Sequence, residues 1–193
     1  PSINGNFESG TAIEITEAEI SSPKHKTSTK TDDFPGASLS DVLTNTRYRN
    51  DEPSGETVYT SSFSSPRDIG DNFVGELTSL FIPPTTGKYT FFISCDAGCG
   101  LFLSADDSGQ RLQKIAEPSC GAQAYQSYDM CDGQKSMEIS LAGGKSYLLR
   151  AVYVDNDGHD HVSAGVCMPD NSCSRPISKA YLKRPTSSAF AKD

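Results

Sequence analysis

Apolar and polar residues alternate along this chain with a period of two, and almost nowhere with the wider period of a helix. The cleanest stretch is Lys135 to Leu141. Met137, Ile139 and Leu141 fall on one face and Ser136, Glu138 and Ser140 on the other, as in a half-buried antiparallel strand. Tyr147 to Val154 is largely apolar on both faces, which predicts a central strand covered on both sides. Phe73 to Ile82 and Tyr89 to Ser94 flank "PPTTGK", where two prolines and a glycine predict a hairpin. The stretch "LAGGKSY" predicts another, with Gly143-Gly144 supplying the positive φ of a tight turn. Further strands are expected over Ala12 to Ile20, Thr57 to Ser61, Leu101 to Ser104, Arg111 to Ile115, His161 to Val166 and Ile177 to Leu182. The single helical candidate is short, "SLSDVLTN", with Ser38 or Ser40 as N-cap. The polar run Ser21 to Asp33 reads as an exposed loop and the chain from Ser187 onward as a tail. Many short strands without an amphipathic helix predict one all-β domain over 1–193, an antiparallel sandwich or barrel.

Composition narrows what such a domain does. Hydrophobic residues make up 35% of 193, enough for a core. The net charge of -8 argues against a nucleic-acid backbone or an anionic membrane surface and favours a neutral or cation-bridged ligand. No apolar run approaches the roughly 18 to 20 residues of a spanning helix, and Pro1 does not open a signal-peptide pattern, so the sequence reads as a mature or excised piece.

Six cysteines lie in polar loops rich in Gly and Asp, which points to disulfides and an oxidising, extracellular setting. Six cysteines allow 15 pairings and the sequence does not choose among them; local pairs (Cys95 with Cys99, Cys120 with Cys131, Cys167 with Cys173) are expected because each would close a loop beside a strand. Zinc is disfavoured, because Cys95, Cys99, His159 and His161 make an odd ligand set that strands further cysteines nearby. Asn-x-Ser/Thr sequons are absent, and only the weaker Asn171-Ser172-Cys173 remains.

Two loops gather the polar residues that carry chemistry. "SCDAGCG" (94–100) follows one strand, and "VDNDGHDH" (154–161) follows another, bringing Asp155, Asn156, Asp157 and Asp160 within one turn's reach. Oxygen ligands crowded around a glycine suit calcium, which takes about six to eight oxygens, whereas the spacing lacks the glutamate and flanking helices of an EF-hand. The bland alternative is an acidic hairpin turn. Enzyme signatures are missing: there is no Gly-x-Ser-x-Gly elbow and no Cys-His nucleophile context, so a non-enzymatic binding module is expected.

The order of several motifs resembles the PA14 domain. "GKYTFFISCDAGCGLFLSADDSG" is followed by "LAGGKSYLLRAVYVDNDGHDHVSAGV", while "SLSDVLTN", "TSSFSSP" and "NFVGELTSLFIPPTTGKYTF" are similar to the version in fibrocystin-like receptors and PA14-type adhesin lectins. The resemblance covers 37–166 as the core, leaving 1–36 as an N-terminal strand and exposed loop and 167–193 as a return strand and tail. It implies a β-sandwich on extracellular or cell-surface proteins that binds glycans or glycoproteins, one module of a larger surface protein. In lectin members two adjacent Asp residues joined by a cis peptide hold a calcium that bridges sugar hydroxyls, and a second loop completes the site. By position the first is Asp96, with Asp155, Asp157 and Asp160 on the second loop and Asn156 beside them. This sequence departs from the pattern at Ala97. Either the second loop takes a larger share of a calcium, or the metal is lost and a Cys95–Cys99 staple holds the turn in a metal-independent structural or protein-adhesion module. Tyr125 and Tyr128 are candidates for an apolar wall beneath a sugar ring.

Overall fold

A computed structural model describes residues 24–30, 38–49, 57–107 and 111–185. In chain order the elements are β1 Lys24–Lys30, α1 Leu39–Thr44, α2 Thr46–Arg49, β2 Thr57–Tyr59, β3 Phe73–Phe81, β4 Gly87–Cys95, β5 Gly98–Leu103, β6 Gln113–Ala116, β7 Ile139–Leu141, β8 Tyr147–Asp155, β9 Val162–Cys167, β10 Cys173–Ser174 and β11 Leu182–Lys183. They form two antiparallel sheets. The larger runs β2-β1-β3-β8-β5-β6 with β11 added alongside β3, and the smaller runs β10-β9-β4-β7.

The alternation of each strand sets the core between the sheets. Leu77 and Phe81 of β3, Leu149, Ala151 and Tyr153 of β8, and Leu101 of β5 meet Tyr89, Phe91 and Ile93 of β4 and Val162, Ala164 and Val166 of β9, all buried. Phe81 packs edge-on against both Tyr89 and Phe91, with ring centroids 5.8 and 5.3 Å apart. Such aromatic pairs add about 0.5–1.5 kcal/mol each beyond their buried area. The second apolar face of β8 is covered as expected: Val152 and Val154 pack with Val74 under Leu39, Val42 and Tyr48 of the helical segment. That segment begins at Ser38, whose hydroxyl accepts from the Asp41 N–H while Asp41 accepts from the Ser38 N–H, a complete capping box.

Several expectations are corrected. Neither of the two turns makes a hairpin. β3 pairs with β8, whereas β4 pairs with β7 and β9, so "PPTTGK" carries the chain from one sheet to the other. "LAGGKSY" likewise crosses from β7 to β8, and only Gly144 has positive φ, +74°. Turn chemistry marks a reversal, but it does not say whether the partners share a sheet. The polar run around Lys24 forms β1, paired with β2 and β3. Lys135 to Leu141 is regular only from Ile139. Ser136 turns inward, exchanging hydrogen bonds with the Phe91 backbone, and leaves Met137 85% exposed. Around Ile177 the structure has a 3-10 turn at Lys179–Tyr181 ahead of the short β11. Ala12 to Ile20 and the chain from Ser187 lie outside the described residues.

Three disulfides join the local pairs expected. Cys95 ends β4 in the small sheet and Cys99 sits in β5 of the large one, so their bond staples the two sheets at the turn between them. Both sulfur-bearing residues are buried in the core.

Candidate functional site

The C-terminal end of β8 and the Cys95–Cys99 turn meet at one corner of the sandwich, because Gly98 pairs with Val154 and Phe73 with Asp155. Two aspartates, Asp155 and Asp160, are each only 1% exposed there. Burying carboxylates is costly unless donors or a cation compensate. The donors come from 66–72, "PRDIGDN". The Asn72 N–H donates to Asp155 Oδ2 at 3.1 Å, and the N–H groups of Ile69 and Gly70 donate to Asp160 Oδ2 at 2.6 and 3.3 Å. Asp68 and Asn72 hold positive φ, 53° and 59°, which turns these backbone donors toward the carboxylates. Gly158 N–H donates back to Asp71 Oδ1 at 3.1 Å, and His159 Nδ1 lies 2.9 Å from Asp68 Oδ1, so the two loops clasp one another.

Compensation is incomplete. Asp160 Oδ1 and the Asn156 amide oxygen are buried without a hydrogen-bond partner. Burial, followed by the charge of Asp160, raises the Asp155 carboxyl to about 6 against the Asn72 hydrogen bond, with Asp71 and Asp96 adding in the same direction. Burial likewise raises Asp160 against its two backbone hydrogen bonds. His161, 3% exposed, is held below its usual range by burial; its Nε2 lies 3.1 Å from the Gln123 carbonyl oxygen and its Nδ1 has no partner.

Asp96 lies at the same corner, its N–H donating to the His161 carbonyl at 3.0 Å and its Oδ1 accepting from the Ala97 N–H at 2.9 Å. Ala97 sits in the left-handed region at φ 60°, and the Asp96–Ala97 peptide is trans. Asp157 is exposed. Asp155, Asn156 and Asp160 thus share the loop clasped by 66–72, Asp96 lies on the neighbouring turn, and Asp157 is on the outside.

The loop closed by Cys120–Cys131 packs over this corner, with Gln123 tied to the Cys95 backbone at both its N–H and its side-chain oxygen. Tyr128 belongs to the buried structure, its hydroxyl 3.0 Å from Ser163 Oγ and pushed up to about 12 chiefly by burial. It offers no wall to a ligand. Tyr125 is 38% exposed, edge-on to His161 and stacked under the Arg67 guanidinium, 4.4 Å from the ring centroid. The segment 66–72 escaped the sequence reading, although its Asp-Ile-Gly-Asp-Asn composition was a turn signal.

The donors are hard oxygens, and two of them are orphaned in the interior, which fits calcium. Among the described residues no three His, Cys, Asp or Glu side chains form a ready-made metal group. A calcium at this corner would take carboxylate oxygens of Asp155 and Asp160 and the Asn156 amide oxygen, with backbone, water or ligand oxygens completing the shell.

A model of the PA14 domain matches residues 25–179, more than half of the chain and beyond the 37–166 core at both ends. The chain belongs to the PA14 domain family. No curated protein matches it in sequence. Among solved structures, the PA14 sugar-binding domain from an RTX adhesin superposes with a TM-score of 0.59 at 13% identity, covering 84% of this chain and 98% of that one. The Epithelial Adhesin 9 A domain from Candida glabrata, in complex with Galb1-4GlcNAc, gives 0.57 at 13% identity over 86% of this chain and 91% of that one. The PA14 domain of the MpAFP antifreeze protein gives 0.56 at 10% identity over 89% and 94%. At these identities the likeness establishes the PA14 fold.

Proposed function

We propose that this PA14 domain is an extracellular, non-enzymatic adhesion module that holds a glycan through calcium at the Asp96, Asp155 and Asp160 corner. The observation that carries the reading is the orphaned Oδ1 of Asp160, buried beside a second raised carboxylate and the unpartnered Asn156 oxygen. Similar domains whose structures are described with sugars or as sugar-binding support the ligand class. Bound calcium supplies a Lewis-acidic centre for sugar hydroxyls. The chain's own contribution is to aim oxygens: the 66–72 backbone fixes Oδ2 of Asp155 and Asp160, leaving Asp160 Oδ1 for the cation. In this reading Asp96, on the stapled turn after β4, adds a further carboxylate.

A second reading is a metal-independent structural or protein-adhesion module with a degenerate sugar site. It is favoured by Ala97, which lacks a carboxylate, and by the Cys95–Cys99 bond that secures the turn without a metal. Thermal unfolding with calcium against chelator separates the two. Calcium at about 100 times its dissociation constant adds roughly 2.7 kcal/mol and raises the midpoint. No shift at millimolar calcium selects the second reading.

A further inference from the structure

A cleft of the sandwich opens at the end remote from the acidic corner. It has a volume of about 540 Å³ and lies between β6, the edge of the large sheet, and 136–141, the edge of the small one. Its floor is apolar, with half-buried Ile115 and Ile139 beside the buried Leu103, Leu141 and Tyr147. The two walls begin joined and then diverge. Glu117 N–H donates to the Gly133 carbonyl and Ser119 N–H to that of Asp132, both at 2.9 Å, whereas among the described residues β6 pairs only with β5, and β7 only with β4. The gap is therefore a wedge bounded by two strand edges that pair with no other described strand on these sides. Exposed edges of this kind accept another strand. Met137, 85% exposed, adds an apolar lip.

Charge singles out the occupant. In a chain of net charge -8, the lining contains Arg111 and Lys114 and no carboxylate. Their acidic partners, Asp106 at 4.0 Å from Arg111 and Glu117 beside Lys114, stand outside the lining. We propose that this cleft binds an extended peptide segment of a partner protein in which apolar residues alternate with acidic ones. The apolar side chains would lie on the Leu103–Tyr147 floor, the acidic ones would face Arg111 and Lys114, and the backbone would pair with β6 or β7. Four extended residues span about 14 Å, which matches strands of this length. This surface is separate from the acidic corner, so its fate does not depend on the sugar reading.

The probe is a soluble heptapeptide of alternating Ile and Glu with blocked ends, titrated into the isotopically labelled domain and followed by amide shifts and by calorimetry. The expected result is saturable binding whose shifts map to 113–116 and 136–141, weakened about tenfold or more by Lys114→Glu and by raised salt, in line with screening of exposed charge. Met137→Glu, at a fully exposed lip that folding does not need, is expected to weaken it as well. The proposal is overturned if the peptide produces no shifts at millimolar concentration, if the shifts fall elsewhere, or if both variants bind as the parent does. Binding of decanoate at the cleft without binding of the peptide also overturns it, by assigning the cleft to a lipid-like anion.

Discussion

Replacing Asp155 with Asn tests the electrostatics of the acidic corner directly. The side chain is 1% exposed and its carboxyl is raised to about 6, by burial first and by the Asp160 charge second. In the unfolded chain an aspartate titrates near 4. The folded domain therefore keeps a proton on Asp155 between about pH 4 and about pH 6 that the unfolded chain has lost, so stability falls as pH rises through that window. Two units correspond to at most about 3 kcal/mol, and screening by water at this loop-built corner reduces that to about 1–2 kcal/mol. Asn keeps the size and an acceptor for the Asn72 N–H, and loses only the charge. Urea unfolding in chelator at about pH 4.5 and about pH 7.5 is the assay. Asp155 makes the parent less stable at the higher pH, while the lowered His161 works the other way, so the variant is compared with the parent at each pH. Asp155→Asn is expected to remove the Asp155 contribution and to gain about 1–2 kcal/mol at the higher pH while losing any response to calcium. A variant whose stability relative to the parent is no greater at the higher pH than at the lower, or which is destabilised at the higher pH, refutes the reasoning.

Other substitutions test the frame that holds the corner. Gly75→Ala places a methyl group inside the Tyr153 ring and is expected to cost about 1–3 kcal/mol or more, read from denaturant midpoints. Replacing both Cys95 and Cys99 with Ala removes the staple between sheets; for so short a loop about 2 kcal/mol is expected, measured with the other disulfides intact. Ser38→Ala breaks the capping box over β8 and is expected to cost about 1 kcal/mol in the same assay, with calcium binding unchanged.

Much of the fold was legible because period-two alternation depends only on which side chains a strand buries. It located β3, β4, β8 and β9 within a residue or two and showed β8 as covered on both faces. Sheet membership was not legible. A tight turn reports a reversal locally, while the choice between pairing with the preceding strand and crossing the core depends on distant partners such as β8 for β3. β1 was hidden because its residues are polar, and its pairing with β2 and β3 is a backbone matter. At the corner, Asp96, Asp155 and Asp160 could be seen as carboxylates near glycines. The donors to Asp160 at Ile69 and Gly70 and the donor to Asp155 at Asn72 could not, since these lie more than eighty residues from the carboxylates they serve. Tyr128 looked like a surface ring in its disulfide loop, and only packing against Ser163 reveals it as buried.

The central claim is that calcium at Asp160 connects this domain to a sugar. The most direct measurement is retention on a glycan array, in millimolar calcium and in chelator, of the parent domain and of Asp160→Asn, with folding of both verified by circular dichroism. The account predicts retention of the parent that disappears in chelator and in the variant. Retention that persists in chelator, or a parent that binds no glycan in calcium, contradicts it.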